Sequence, residues 1–402
     1  MIQETNKYFI EVGSYWQNKY GNIVCGDSIY LHRNVKENRT VAVLSDGLGS
    51  GVKASVLSTM TASMALNFRL RREPIGRTVS IIMDTLPIDS VRNISYSTFT
   101  SVDVDMNGCA SIVEYDNPPL IWIHNGEICS TNPKQTVVKN NNLHNSNTED
   151  RIIKISEIEL AQEDRLIFFS DGVTQSGIGN MNMPFGWEEG VKDFIMEHIK
   201  ENPFISAREL SQRIVKQSEL NDILKPKDDT SCVVFYVRKP RKLLICTGPP
   251  FSDTKDKYLG EVVKNYEGKK IVCGGTTSKI ISRELGKEIT VDLNNIVSDL
   301  PPASQMEGVD LLTEGIITLG ALNELIERGV PHNMSEGKGP AWDIFRMIMD
   351  VDIIDIVAGT KINVAHQDPS LPVELEIRRN VVKRLAYLME DRLMKEVRIE
   401  FI

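Results

Sequence analysis

The stretch VAVLSDGLGSGVKA, residues 41–54, decides the fold. A short β-branched apolar run ends in an Asp-Gly pair and a glycine-rich turn. Small and apolar residues then continue at helical spacing over Val52–Leu70. Gly49 and Gly51 let the chain pack closely before that helix, and Ser50 is placed to cap it. Pro74 interrupts the pattern, and a second helix is expected over Ile75–Leu86.

Outward from this stretch, Ile29–His32 and Thr40–Leu44 read as strands, as do Ser97–Asp103, Ala110–Tyr115, Leu120–His124, Leu166–Ser170 and Ser231–Val237. Asn107-Gly108 and Asn125-Gly126 sit between strand-like runs, as hairpin turns do. Helices are expected over Trp187–Glu201 and Ser206–Gln217, and KNNNLHNSN (139–147) reads as an exposed loop. Hairpins with paired helices predict an antiparallel α+β sandwich rather than a doubly wound sheet.

After KPRK (239–242) the pattern changes. Strand-like Leu243–Cys246, Lys270–Cys273 and Glu288–Val291 alternate with helical Lys255–Tyr266 and Thr277–Leu285. Helical Ile316–Arg328, Ala341–Met349 and Val373–Glu390 follow, with strand-like Ile353–Val357 and Glu396–Phe401. This alternation predicts a smaller α/β domain with a mostly parallel sheet over 239–402, following a first domain over 1–238. Two glycine turns follow strands there, Cys246-Thr247-Gly248-Pro249-Pro250 and Cys273-Gly274-Gly275-Thr276-Thr277-Ser278. The second opens a helix, where free N–H groups and hydroxyls suit an anion. Helix capping by Thr277 or Ser278 is the competing explanation. The loop lacks the Walker spacing and lysine, which argues for binding rather than ATP hydrolysis. Asp310, Thr313 and Glu314 are expected to face the same crevice.

Acidic residues recur at the ends of apolar strands in the first domain. Asp46 follows VAVLS, Asp171 follows RLIFFS, Asp228 and Asp229 precede TSCVVFYV, and Asp27 stands in CGDS. One Asp-Gly is ordinary turn chemistry. Several acidic tips spread over 180 residues of chain suit hard-oxygen coordination of Mg²⁺ or Mn²⁺.

CGDS (25–28), LSDGLGSGVKA (44–54), DNPPL (116–120), FFSDGV (168–173) and DDTS (228–231) occur in the order seen in bacterial serine phosphatases. Residues 8–238 thereby resemble stage II sporulation protein E and the metal-dependent type 2C (PPM) protein phosphatases. The resemblance implies an α-β-β-α sandwich with two Mg²⁺ or Mn²⁺ ions at one edge. It implies Asp46 as the ligand bridging both, with the Gly47 carbonyl on one of them. Asp171 and Asp228 would ligate the other, Asp27 would act through water, and Asp228 is preferred to its neighbour Asp229. Catalysis would rest on Asp46, Asp171 and Asp228, with water as nucleophile. Leu48 stands where eukaryotic relatives carry a histidine, so the leaving oxygen takes its proton elsewhere. Asn117-Pro118-Pro119 matches a structural turn of the family. The implied substrate is phosphoserine on a bacterial regulatory protein. From its two glycine turns, and not from the resemblance, the second domain is expected to gate activity through a small anionic effector. A homodimer fits this scheme. The alternative is a catalytically silent sandwich that binds a signalling partner.

Composition narrows the classes further. With 41% hydrophobic and 25% charged residues the 402-residue chain is of globular type. A net charge of −9 gives no general attraction to nucleic acid or anionic lipid. No apolar run reaches the ~18 residues of a membrane span, and the start lacks a signal-peptide plan, so a cytoplasmic location is expected. Six scattered cysteines without a CxxC pair argue against zinc.

Overall fold

The computed structural model describes residues 8–34, 37, 39–85, 97–138, 151–179, 183–291, 304–329, 337–361, 371–393 and 395–402. The chain divides into two compact units, Met1–Lys239 and Pro240–Ile402.

The first unit is an α-β-β-α sandwich. One sheet has the spatial order β2 (Asp27–Asn34), β3 (Arg39–Gly47), β4 (Ser97–Val104), β5 (Cys109–Tyr115), β9 (Arg151–Glu159), β8 (Lys134–Val138), with every pair antiparallel. The other runs β1 (Phe9–Gln17), β11 (Thr230–Arg238), β10 (Arg165–Phe169), β6 (Ile121–His124), β7 (Glu127–Cys129), also antiparallel. Strand alternation builds the layers. Leu44, Val102, Leu166, Phe168 and Phe235 fill the space between the sheets. Val43 and Phe99 face the other way, onto Leu57 and Ala62 of α1 (Val52–Leu70) and Val79 of α2 (Ile75–Thr85). On the opposite flank Ile167 and Val234 meet α4 (Glu188–Glu201) and α5 (Ala207–Asn221), through Val191 and Ile214. A short α3 (Asp171–Thr174) follows β10 directly.

Both Asn-Gly pairs turn hairpins; Asn125 and Gly126 have φ of 51° and 81°, the left-handed pair a tight hairpin needs. β1, β7, β8 and β9 were not anticipated. Ser50 does not cap α1: the N-cap is Gly51, with no side-chain cap bond. Gly49 and Gly51 have φ of 100° and 73° with open space around them, so they serve backbone conformation rather than close packing. The 139–147 tract and Leu86 lie outside the described residues.

The second unit has the order β14 (Ile289–Val291), β15 (Ser304–Met306), β16 (Val309–Thr313), β13 (Lys269–Cys273), β12 (Lys242–Thr247), β17 (Ile353–Ala358), β18 (Glu396–Phe401). β16, β13, β12, β17 and β18 are parallel, and an antiparallel β14–β15 edge completes the sheet. Leu244 and Cys246 pack on one side with α6 (Asp256–Asn265) and α7 (Gly275–Leu285). Leu243 and Ile245 pack on the other with α8 (Ile316–Glu327), α9 (Pro340–Met349) and α10 (Leu371–Leu393). Neither β15 nor β16 was among the expected strands; both are short, of three and five residues.

Candidate metal centre

Asp27 opens β2 and Asp46 lies one residue before the end of β3, and the two are direct partners across the antiparallel ladder. Like charges so opposed destabilise a sheet unless something neutralises them. Asp171 is the first residue of α3, straight after β10. Asp228 and Asp229 immediately precede β11, the neighbour of β10. Both sheets therefore deliver carboxylates to one edge.

Three glycines make this convergence possible. A Cβ on Gly47 would stand 2.1 Å from the Ala54 carbonyl oxygen, so β3 ends directly on the first turn of α1. A Cβ on Gly172 would stand 2.1 Å from the Asp229 carbonyl oxygen, and one on Gly26 would stand 2.7 Å from the Asp229 carboxylate. Neither Gly47 nor Gly172 has a positive φ. In both Asp-Gly pairs the glycine serves close approach, not the turn chemistry the sequence suggested.

The carboxylates are short of partners. Asp27 is 7% exposed and both its carboxylate oxygens lack a hydrogen bond. The Ser170 and Ser231 hydroxyls lower its pKa without closing a bond to either oxygen, while burial first, then Asp229 and Asp171, push it up to about 7. Asp229 is 3% exposed; its Oδ1 accepts from the Lys19 amide at 3.0 Å, and its Oδ2 has no partner. Burial, followed by the charges of Asp27, Asp171 and Asp228, drives Asp46 well above the usual carboxylate range. Asp171 also acts on Asp46 and helps to raise it. Burial also raises Asp171, against the lowering effects of Asp46, the Gly172 amide and Gln175, whose amide donates to it at 2.7 Å. Asp228 is raised, chiefly by burial; it accepts from the Asp229 amide at 3.0 Å, and Lys19 Nζ lies 3.8 Å away.

Among the described residues no group of three or more His, Cys, Asp or Glu is closed tightly enough to hold an ion as it stands. The donor set nonetheless fits a hard divalent cation. It is all oxygen, it converges from both sheets, and its buried Asp27 and Asp229 oxygens are unsatisfied. Lys19 at this edge was not anticipated; it belongs to none of the motifs. Asn117 bonds Thr98 and donates to Thr100 Oγ1 at 3.2 Å, tying the DNPPL turn to β4 beside Asp46.

The anion expectations in the second unit fare differently. A Cβ on Gly248 would meet the Gly359 carbonyl oxygen and the Arg378 guanidinium, each at 2.9 Å, so that turn is already filled. Ser278 turns its hydroxyl onto the Gly274 carbonyl at 3.0 Å, and Thr277 is buried. Gly275 and Thr276 are exposed at the start of α7. Asp310 does not face this crevice: it lies near the start of β16 and accepts from the Lys270 amide at 2.8 Å. Thr313 donates to Cys273 Sγ at 3.3 Å and to the Glu314 carbonyl at 2.9 Å.

The family model for stage II sporulation protein E matches residues 36–238, half of the chain. The chain belongs to the stage II sporulation protein E family. No curated protein matches it in sequence. Among solved structures it is similar to the PP2C phosphatase domain with a regulatory fragment of SpoIIE from Bacillus subtilis, at 18% identity and TM-score 0.45, over 58% of this chain and 65% of that one. RsbX in complex with magnesium matches at 19% identity and TM-score 0.41, over 59% of this chain and all of that one. The catalytic domain of the serine/threonine phosphatase PstP with two manganese ions matches at 13% identity and TM-score 0.38, over 58% and 100%. The residues matched by the family model run from β3 through β11 of this chain's sandwich. Among its described residues no helix is long and apolar enough to cross a membrane.

Proposed function

We propose that the sandwich is a Mn²⁺- or Mg²⁺-dependent protein serine/threonine phosphatase acting on a phosphorylated bacterial regulatory protein. The observation that carries this reading is the set of buried carboxylates brought from both sheets to one edge with unsatisfied oxygens. Two ions, when bound, supply positive charge for the phosphoryl oxygens and the acidity that makes water a nucleophile. Asp46 faces Asp27 across the ladder and also feels the charges of Asp171 and Asp228, which suits a ligand shared by both ions. The Gly47 carbonyl joins it on one ion. Asp228 suits the second ion better than Asp229. The charge of Asp228 acts on Asp46, whereas Asp229 acts on Asp27 and Cys25 and commits an oxygen to Lys19. Asp27 acts through water, and the Ser170 and Ser231 hydroxyls beside it orient that water. Gly26, Gly47 and Gly172 hold the carboxylates in place by letting backbone and side chains approach.

The second unit is assigned a gating role, with the exposed Gly275 and Thr276 at the start of α7 as the contact for a small anion. The test of the phosphatase reading is turnover of an aryl phosphate and a phosphoserine peptide by the full chain with Mn²⁺. Hydrolysis should stop with a chelator and return on adding the metal. Turnover equal with and without chelator would sink it.

A further inference from the structure

Between the end of α5 and Asp228 the chain carries Ile223 and Leu224, both left-handed, with φ of 56° and 58°. That conformation is disfavoured for any L-residue and is an outlier for a β-branched one. Burial does not compensate, since the two side chains are 74% and 61% exposed. The surrounding bonds over-determine the loop instead. Leu224 N donates to the Glu219 carbonyl at 2.9 Å, and the buried Asp222 carboxylate accepts from the Gly177 and Lys227 amides at 2.9 and 3.0 Å. A strained backbone that presents apolar side chains to water calls for a functional cause.

Neighbouring segments present the same chemistry. The Tyr20 amide donates to the Pro226 carbonyl at 2.9 Å, which draws the loop after β1 alongside; Tyr20 is 64% and Ile23 95% exposed. Lys227 Nζ donates to the carbonyl of Ile178, itself exposed. These five residues form an apolar collar with Lys225 and Lys227 set into it, on a chain that is acidic as a whole. The collar is joined to the carboxylate edge through Lys19, whose amide bonds Asp229.

We propose that this collar docks the phosphoserine segment of a protein substrate, one with apolar side chains close to the phosphoserine. The proposal rests on the phosphatase reading above. Leu224 stands four residues before Asp228, a span of at most ~14 Å of chain, so the docked side chains lie within about four positions of the phosphoserine. Lys225, whose Nζ lies 5.5 Å from the Tyr20 ring centroid, complements the negative charge of such a segment, while Lys227 is paired with Asp222 at 3.7 Å.

The test uses the full chain with Mn²⁺ and two phosphoserine peptides of equal charge, one with leucines three positions either side and one with serines there. Wild type should prefer the leucine peptide by about tenfold or more in kcat/KM. Ile223→Asn with Leu224→Gly places residues that tolerate the left-handed region, so folding is preserved while the apolar contact is lost. The preference should then fall below about threefold. Equal kcat/KM for both peptides in wild type, or a preference retained in the double variant, overturns the proposal. If neither peptide nor an aryl phosphate is turned over, the phosphatase reading has failed, and fluorescence anisotropy of the same peptides decides the collar. Tighter binding of the leucine peptide, lost in the variant, upholds the collar; equal binding overturns it. A dimer in wild type that becomes a monomer in the variant assigns the collar to a second copy of the chain and overturns the proposal as well.

Discussion

The carboxylate edge of the sandwich and the glycine turns of the second unit both sit where loops leave strands, yet they handle their polar groups in opposite ways. At the carboxylate edge, Asp27 and Asp229 keep buried oxygens without partners, and Asp46 faces Asp27 across a ladder. In the second unit the turns satisfy themselves. Ser278 bonds the Gly274 carbonyl, the Gly274 amide bonds the Thr313 carbonyl at 2.8 Å, and Arg378 donates to the Gly359 carbonyl at 3.3 Å. A buried polar atom left unpaired is costly unless a ligand completes it. By that measure a ligand is called for at the first edge, while in the second unit the Gly248 and Ser278 bonds are closed and only the start of α7, at Gly275 and Thr276, stands open.

The largest effect that can break this contrast is catalytic. Asp46→Asn should lower metal-dependent turnover by at least about 10²-fold, since on the proposed reading it removes the ligand shared by both ions. Undiminished steady-state hydrolysis in that variant would remove the carboxylate edge from the mechanism.

Next comes the metal-free stability of the sandwich. The Asp27 pKa is raised from 3.8 to about 7 on folding. The folded state then holds a proton that the unfolded chain would release. This contribution is complete below about pH 4 and is lost as pH rises towards 7, by up to a few kcal/mol. Chelated protein should therefore melt several degrees lower at pH 7.5 than at pH 5 (about 2–4 °C per kcal/mol in a unit of this size). Asp27→Asn should flatten that difference in calorimetry. A wild-type-like pH slope in the variant would locate the effect elsewhere.

A glycine pair gives the two smaller effects. Gly47→Ala must push against the Ala54 carbonyl, so a loss of about 1–3 kcal/mol is expected in denaturant unfolding. Gly275→Ala meets nothing within 4 Å and has no positive φ, so it should be neutral or stabilising by up to about 1 kcal/mol. Equal losses at both sites would erase the distinction between the packed edge and the open helix start.

Much of the sandwich was legible because its signals are local. The small-residue pattern after Gly51 places α1, and the Asn-Gly pairs place both hairpins. β1 was hidden because its partner is distant: Gln17 pairs with Thr230, and FIEVGSYWQ alternates poorly by itself. β9, RIIKISEIE, did carry alternating isoleucines and was readable, but it follows the biased tract that drew attention to a loop. The acids at the edge were found from their places beside apolar strands. The reason for the glycines beside them was not, since close approach between Gly172 and Asp229 depends on segments far apart in the chain. Lys19 left no trace in the sequence, being one lysine of many outside any motif.

On the metal-dependent reading proposed above, the opposed pair Asp27 and Asp46 would also make metal loading an exchange reaction. Burial and mutual repulsion favour the protonated form of these acids near neutrality, so each ion bound there would expel acid. Apparent affinity then climbs with pH, by about tenfold per unit for each proton displaced. In a weakly buffered solution, titrating the chelator-treated protein with Mn²⁺ acidifies the medium in proportion to sites filled. On that reading hydrogen ions compete directly with the metal for the same oxygens, and a falling pH would favour release of the ions.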